Sequence, residues 1–467
     1  MAWIVQMFNK LRSRIHLKPV QILVGGFALV ILVGSILLNL PIASRSGESV
    51  GYLNALFTST SAVCVTGLVV VETGSTFSIF GQIVIIALIQ FGGLGLMTCA
   101  TFLFMILRKR ITLKERLVMQ EALNESGLQG LVKLTRSILI MTLTVELVGA
   151  ALLSTRLVPY YGFAKGLYYS FFHSISAFCN AGFDVFGTGQ SLMPFREDFM
   201  INFTIMALII IGGLGFTVIL EANNKRRFNR LSLQAKVVLS MSALLIVLGT
   251  LVIAVLEWNN PGTLGAEGMN PFEKIMAAMF QSVSARTAGY ATVDQAALMP
   301  ASKFFTVILM FIGASPASTG GGIKTTTIAV LILLVISVIR GKREIEIFGK
   351  SLSWGTITRA VTIALLALVL VVGVTMVISM IELGLGDPMV AHGGLEDVLF
   401  ESVSAFGTVG LSANLTPFLG TVSRILLILT MFIGRLGPMT LALFFAIRQN
   451  TRKRAHIKRP EDRLMVG

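Results

Sequence analysis

The chain has 467 residues, of which 54% are hydrophobic and only 13% charged, about half the charged share of a soluble domain, so an ordinary globular enzyme or binding module is excluded. A formal net charge of +15 would suit nucleic acid, but most of the 38 Lys and Arg fall in five short segments between long apolar runs. That is the pattern of a polytopic membrane protein whose basic segments face the cytoplasm, not of a nucleic-acid-binding surface.

Read in order, the chain opens on a basic cytoplasmic stretch, 1–19, carrying Lys10, Arg12, Arg14 and Lys18. The apolar run at 20–40 is too long for the core of a signal peptide and reads as a first spanning helix. A semi-polar stretch, Tyr52–Val63, leads into the phrase Phe57-Thr-Ser59-Thr-Ser61-Ala-Val-Cys64-Val65-Thr66-Gly67, and a second apolar run at 76–107 completes repeat 1, residues 20–107. After a cytoplasmic loop at 108–136, with Arg108, Lys109 and Arg110, repeat 2 (137–222) has the same parts. Its spans are 137–156 and 199–222, and its short stretch Gly166–Phe178 ends in Phe172-His173-Ser-Ile-Ser176-Ala-Phe-Cys179-Asn180-Ala181-Gly182. A basic loop at 223–236 (Lys225, Arg226, Arg227, Arg230) precedes repeat 3, 237–340, whose runs are 237–257 and 303–340 around Phe280-Gln-Ser-Val-Ser284-Ala-Arg286-Thr287-Ala288-Gly289. Beyond Arg340, the loop at 341–359 holds Lys342 and Arg343. Repeat 4, 360–447, has runs at 360–382 and 421–447 around Phe400-Glu401-Ser-Val-Ser404-Ala-Phe-Gly-Thr408-Val409-Gly410. The tail 448–467, with Arg452, Lys453, Arg454, Lys458 and Arg459, returns to the cytoplasm, so eight spans leave both termini inside.

The short stretches cover only about half of a ~30 Å hydrocarbon core and are expected to be re-entrant half-helices. The fold class is therefore an all-α polytopic membrane protein. Four repeats of helix, pore helix and helix surround a central pore in the lipid bilayer. The tripeptides Val65-Thr66-Gly67, Asn180-Ala181-Gly182, Thr287-Ala288-Gly289 and Thr408-Val409-Gly410 contain no acid. Rings of backbone carbonyls can replace the hydration shell of a cation, and glycine permits the backbone angles that turn successive carbonyls inward. Hard divalent ions recruit carboxylates, so a monovalent cation is expected. In repeat 3 the phrase is one residue shorter between its Ser-Ala and its glycine, so the ring need not be symmetric.

The run 303–340 is too long for one span, and its middle, Gly313-Ala-Ser-Pro316-Ala-Ser318-Thr319-Gly320-Gly321-Gly322, cannot sustain a helix. Broken backbone at membrane depth survives where protein buries it or a water-filled cavity receives it, which places this segment beneath the filter. Gly320-Gly-Gly-Ile-Lys324-Thr lacks phosphate-loop spacing, because Ile323 separates the glycines from Lys324. The second helices share a further phrase: Phe91-Gly-Gly-Leu-Gly95, Ile211-Gly-Gly-Leu-Gly215, Ile312-Gly-Ala-Ser-Pro316 and Ile433-Gly-Arg435-Leu-Gly437. Its small residues suit close helix packing.

Together, the four-fold plan, the tripeptides and the Ser318-Thr-Gly-Gly-Gly-Ile-Lys324 segment resemble the Trk/Ktr/HKT potassium transporter superfamily, and within it the membrane subunits of Ktr uptake systems, over essentially the whole chain. The absence of two further N-terminal helices, usual in Trk membrane subunits, favours Ktr. The resemblance implies K⁺ as the transported ion, held at the filter, with no organic cofactor in this chain. It also implies a homodimer with one pore per subunit and a cytosolic nucleotide-binding ring of the KtrA type. The segment 313–322 with Lys324 becomes an intramembrane gating loop, held closed by the Arg435 guanidinium on its carbonyls. All four filter glycines are kept here, whereas some relatives have serine in the first repeat and pass Na⁺.

Arg286, beside Thr287, is expected to turn away from the pore and pair with Glu401 or Asp294. Glu146 is expected to bond a neighbouring helix, and Glu344–Trp354 with the basic loops is a candidate docking surface for a regulatory chain. Cys64, Cys99 and Cys179 lie in apolar stretches without CxxC spacing, and the histidines are scattered, so no disulfide framework or metal centre is indicated. No enzyme is expected, since no nucleophile, base and orienter cluster together. The rival transport mechanism is a Na⁺- or H⁺-coupled K⁺ symporter. The lack of a titratable group in the tripeptides favours channel-like conduction.

Overall fold

The computed structural model describes residues 19–95, 98–99, 131–342, 344–382, 394–438 and 440. The basic clusters at 10–18, 108–110 and 452–459, Arg343, the tail 448–467 and most of the loop 108–136 lie outside the described residues.

Helices α1 (Pro19–Leu38), α2 (Tyr52–Cys64) and α3 (Ile79–Leu94) are followed by α4 (Leu131–Tyr161), α5 (Phe163–Phe178), α6 (Phe199–Leu214) and α7 (Phe216–Lys225). Next come α8 (Leu233–Glu257), α9 (Pro271–Ser284), α10 (Pro300–Phe311) and α11 (Thr325–Ile339). A two-residue hairpin, β1 (Glu346–Ile347) with β2 (Lys350–Ser351), precedes α12 (Trp354–Glu382), α13 (Leu395–Gly407) and α14 (Thr421–Leu436). The hairpin is a small departure from the all-α expectation. Phe348 and Gly349 both take positive φ, 49° and 73°, as a tight hairpin turn demands.

Helices α1, α4, α8 and α12 are long and apolar enough to cross a membrane by themselves. Three of them start before the apolar runs do, at Leu131, Leu233 and Trp354 instead of 137, 237 and 360. Hydropathy reports the apolar centre of a helix and misses its polar first turn, such as that of α8, where the Ser232 hydroxyl accepts from Ala235 N–H at 3.3 Å.

The second helices are shorter than expected. Residues 199–222 do not form one span: α6 and α7 meet at a 97° bend. The cause is the last glycine of the repeated phrase. Gly215 has φ +94°, and Gly95 and Gly437 end α3 and α14 with φ +81° and +86°. The same phrase also serves close approach. Gly92, Gly212 and Gly434 lie directly against the carbonyls of Val63, Phe178 and Phe406, so that a methyl group at any of them would collide.

Each half-helix, α2, α5, α9 and α13, leans on the long helix before it. The leading Phe of the phrase is buried in every repeat, at Phe57, Phe172, Phe280 and Phe400. The first serine ties the pair together. Ser59, Ser174 and Ser282 Oγ donate to the carbonyls of Ile31 (2.7 Å), Glu146 (2.6 Å) and Ile246 (3.1 Å). Gly34, Gly149 and Gly249 make room for these hydroxyls on the facing helix. In repeat 4 the serine, Ser402, makes no such bond.

Repeat 4 is anchored instead by Lys303 of α10, whose Nζ lies 2.9 Å from Asp397 of α13, with side chains 10% and 11% exposed. Removing one member of a buried pair strands the other charge. Lys303→Met is therefore expected to lower stability by about 3–5 kcal/mol, and Lys303→Met with Asp397→Asn to recover part of that loss. Thermal unfolding of the purified protein in detergent reads both.

Candidate functional site

In repeats 1, 2 and 4 the half-helix ends in the same cap. The N–H groups of Val65, Asn180 and Thr408 bond the carbonyls of Ala62 (3.2 Å), Ala177 (3.0 Å) and Ala405 (3.2 Å). Those of Thr66, Ala181 and Val409 reach back to Ser61 (2.8 Å), Ser176 (2.8 Å) and Ser404 (2.9 Å). This is a Schellman turn, which requires a left-handed residue after the helix. Val65, Asn180 and Thr408 supply it at φ 56°, 58° and 50°. A left-handed β-branched residue costs roughly 1–2 kcal/mol, strain of the kind concentrated at functional sites. Repeat 3 absorbs its missing residue in this turn. Ala288 N–H bonds Ser284 O at 2.9 Å, and Thr287 is left-handed at φ 93°.

The glycine of each tripeptide again has positive φ: 92° at Gly67, 68° at Gly182, 78° at Gly289 and 91° at Gly410. The intervening Thr66, Ala181, Ala288 and Val409 do not. Alternating handedness turns successive peptide carbonyls to the same side. The second serine of each phrase fixes the strand. Ser61 and Ser404 Oγ accept from Gly67 N–H (3.0 Å) and Gly410 N–H (3.1 Å), while Ser176 and Ser284 Oγ donate to Phe183 O (2.9 Å) and Tyr290 O (2.5 Å).

The four tripeptides close a ring. A methyl group on Gly67 would lie 2.5 Å from Ala181 O, one on Gly182 2.6 Å from Ala288 O, and one on Gly289 2.5 Å from Val409 O. One on Gly410 would strike Thr66 O, which returns the circuit to repeat 1. Each glycine thus sits beside the middle carbonyl of the next repeat, with no space for a side chain.

The segment 312–324 runs between α10 and α11 against this ring. Thr319 Oγ1 donates to Phe178 O (3.3 Å), and Gly321 N–H donates to Thr408 Oγ1 (2.9 Å). Gly320 lies beside Thr287, whose hydroxyl is 3.1 Å from the Asn180 amide. The backbone at the α6–α7 bend holds the other side of the segment. Ser315 N–H bonds Gly213 O (3.1 Å), and Phe216 N–H bonds Ala317 O (2.9 Å). Gly313 packs on Gly321, Gly322 takes φ +67°, Pro316 O faces Gly215, and Ser318 Oγ donates to Ser315 O at 2.6 Å. Lys324 Nζ folds back onto Gly320 O at 2.7 Å. Arg435 of α14 donates through Nη1 to Thr319 O and through Nη2 to Gly92 O. The first bond joins it to the segment as expected. The second, to α3, was not legible in the sequence.

Arg286 corrects an expectation. It is buried, but its guanidinium reaches Ser242 O of α8 at 3.4 Å, and neither expected carboxylate pairs with it. Glu401 is occupied by its own repeat, accepting from Ser412 Oγ (2.5 Å), Ala413 N–H (3.1 Å) and Thr416 Oγ1 (2.6 Å). Asp294 accepts from Ala296 N–H (3.0 Å) and the Asn414 amide (3.3 Å). Glu146 accepts from Gln90 Nε2 of α3 at 3.0 Å, and Gln90 Oε1 in turn receives the Cys179 thiol at 3.5 Å. His173 stacks on Phe186 with ring centres 4.1 Å apart.

Comparison with known proteins agrees with this geometry. The TrkH family model, described as a cation transport protein, matches residues 19–456. Ktr system potassium uptake protein B of Bacillus subtilis is 40% identical, over 98% of this chain and 99% of its own. The potassium/sodium uptake protein NtpJ of Enterococcus hirae is 39% identical over the same shares. The crystal structure of the potassium transporter TrkH from Vibrio parahaemolyticus has the same fold, with a TM-score of 0.67 at 17% identity over 90% of this chain and 84% of that one. A family match that takes in every tripeptide, the segment beneath them and Arg435, with full-length relatives at this identity, places the chain in the TrkH family of cation transport proteins.

Proposed function

We propose that the chain is the ion-conducting subunit of a potassium uptake system and that K⁺ crosses it through the ring of tripeptides. The closed circuit of glycines and middle carbonyls carries this reading, because it offers backbone oxygens and no fixed charge to a dehydrated monovalent ion. The four half-helices end at the ring, so their negative dipole ends also favour a cation there. The names of the Bacillus and Enterococcus relatives support potassium as the ion.

In this reading, α1, α3, α4, α6, α8, the broken α10–α11, α12 and α14 are the eight spans, and α2, α5, α9 and α13 re-enter from the outside. The repeats keep the bounds 20–107, 137–222, 237–340 and 360–447, and both termini face the cytoplasm of a cell-membrane protein. The segment 313–322 is the gate, with Arg435 and Lys324 as its latches. The protein works as a homodimer under a cytosolic nucleotide-binding ring of the KtrA type. Growth of a host without its own K⁺ uptake, at micromolar K⁺, is expected to be restored by this chain with such a partner. Failure of that rescue with the protein present in the membrane would overturn the reading.

One observation favours a second mechanism. Glu146 is a buried carboxylate linked through Gln90 to Cys179, next to Asn180. Intramembrane carboxylates are frequent proton carriers. H⁺-coupled symport predicts a zero-current potential that moves with pH and stops moving in Glu146→Gln. Channel-like conduction predicts a potential set by K⁺ alone in both proteins.

A further inference from the structure

A cavity of about 480 Å³ lies on the far side of the 312–324 segment from the ring. The size is that of a small-ligand site. Three cations line it, Lys324, Arg359 and Arg435, and no carboxylate does so among the described residues. Arg435 and Lys324 spend their donors on backbone carbonyls. Arg359, in the second turn of α12, is exposed and makes no hydrogen bond or ion pair among the described residues. The opposite wall is apolar, with Leu23 and Phe27 of α1 facing Ile363 of α12 across the opening.

We infer that this cavity holds the headgroup of an anionic phospholipid. The phosphate sits on Arg359 and Lys324, and the acyl chains leave between α1 and α12. Charge complementarity selects an anion, and the apolar cleft between two helices of membrane-spanning length selects an amphiphile over a soluble one. Basic pockets between membrane helices near the cytoplasmic face are the usual seats of such headgroups. The consequence for the pore follows from Lys324. An ammonium turned towards a phosphate gives up Gly320 O, one of the contacts that keep the segment against the ring. Anionic lipid therefore loosens the closed segment, while Arg435 still holds Thr319.

The test has a binding arm and a transport arm. In native mass spectrometry of the purified full chain, wild type is expected to retain phosphatidylglycerol about tenfold more tightly than Arg359→Gln, the size of one lost charge-assisted contact. Equal retention by the two proteins overturns the site. In vesicles, the ratio of K⁺ flux in phosphatidylcholine with phosphatidylglycerol to flux in phosphatidylcholine alone is expected to exceed one for wild type and to fall towards one for Arg359→Gln. Equal ratios overturn the link to Lys324. If soluble glycerol 3-phosphate reproduces the stimulation in phosphatidylcholine vesicles, the occupant is a free anion and the lipid assignment is wrong. The binding arm does not depend on transport, so a chain that retains the lipid through Arg359 yet carries no K⁺ supports the site while overturning the transport reading.

Discussion

Arg435→Ala is expected to raise K⁺ flux and to weaken its control by any regulatory partner. The guanidinium is the one side chain that joins the 312–324 segment, at Thr319 O, to α3, at Gly92 O. Hydrogen bonds from a charged donor contribute about 1.5–3 kcal/mol each, so their loss shifts the balance between closed and open segment by roughly tenfold or more. A guanidinium near a cation path also repels the ion, and alanine removes that repulsion as well. The two effects separate in Arg435→Lys. A lysine keeps the charge but has no fork to span two carbonyls, so its flux is expected to lie between wild type and alanine. Rubidium uptake into vesicles at matched protein content reads all three. Wild-type flux with wild-type nucleotide dependence in Arg435→Ala would remove Arg435 from the gate.

How much of this was visible in the sequence depended on which residues had alternatives. The ring was legible because its requirement is severe. Glycine at the same place in four copies of one phrase, each behind a short semi-polar helix, has few structural explanations. The broken run at 303–340 was legible for the same reason, since Pro316 and the three glycines at 320–322 exclude a helix. The bends at Gly95 and Gly215 were not. Hydropathy stays high across them, and the letter G does not distinguish a glycine that breaks a helix from Gly92 or Gly212, which lets a neighbouring carbonyl approach. Arg286 failed differently. Its expected partner Glu401 was in reach by repeat position, but the loop that follows α13 satisfies that carboxylate through Ser412, Ala413 and Thr416. Local side-chain bonds of this type compete with long-range pairs and leave no mark in spacing. The Arg435 bond to Gly92 joins residues 343 positions apart, and only the closed ring brings them together.

Gly410→Ala is expected to abolish growth rescue at micromolar K⁺ and to weaken K⁺ affinity by about tenfold or more, the scale of losing one carbonyl–cation interaction. Two costs add at this position. The backbone is left-handed, φ +91°, which costs an alanine roughly 1–2 kcal/mol. The added methyl group also strikes Thr66 O and must push that carbonyl out of the ring. Gly47 separates the costs, because it has φ +75° but nothing within 4 Å of an added methyl group. Gly47→Ala carries the backbone strain alone and is expected to lower the unfolding temperature slightly while K⁺ uptake stays at the wild-type level. Gly182→Ser is an intermediate case. Its φ is +68°, and its Cβ would lie 2.6 Å from Ala288 O, with a hydroxyl able to offer the ion a replacement oxygen. Its expected outcome is uptake that persists at higher K⁺ with reduced discrimination against Na⁺. Measured as K⁺ and Na⁺ uptake against concentration, the three variants should rank Gly47→Ala, Gly182→Ser, Gly410→Ala in order of increasing damage. If Gly410→Ala behaves like Gly47→Ala, the carbonyls beside these glycines are not what the ion meets, and the ring is a structural turn.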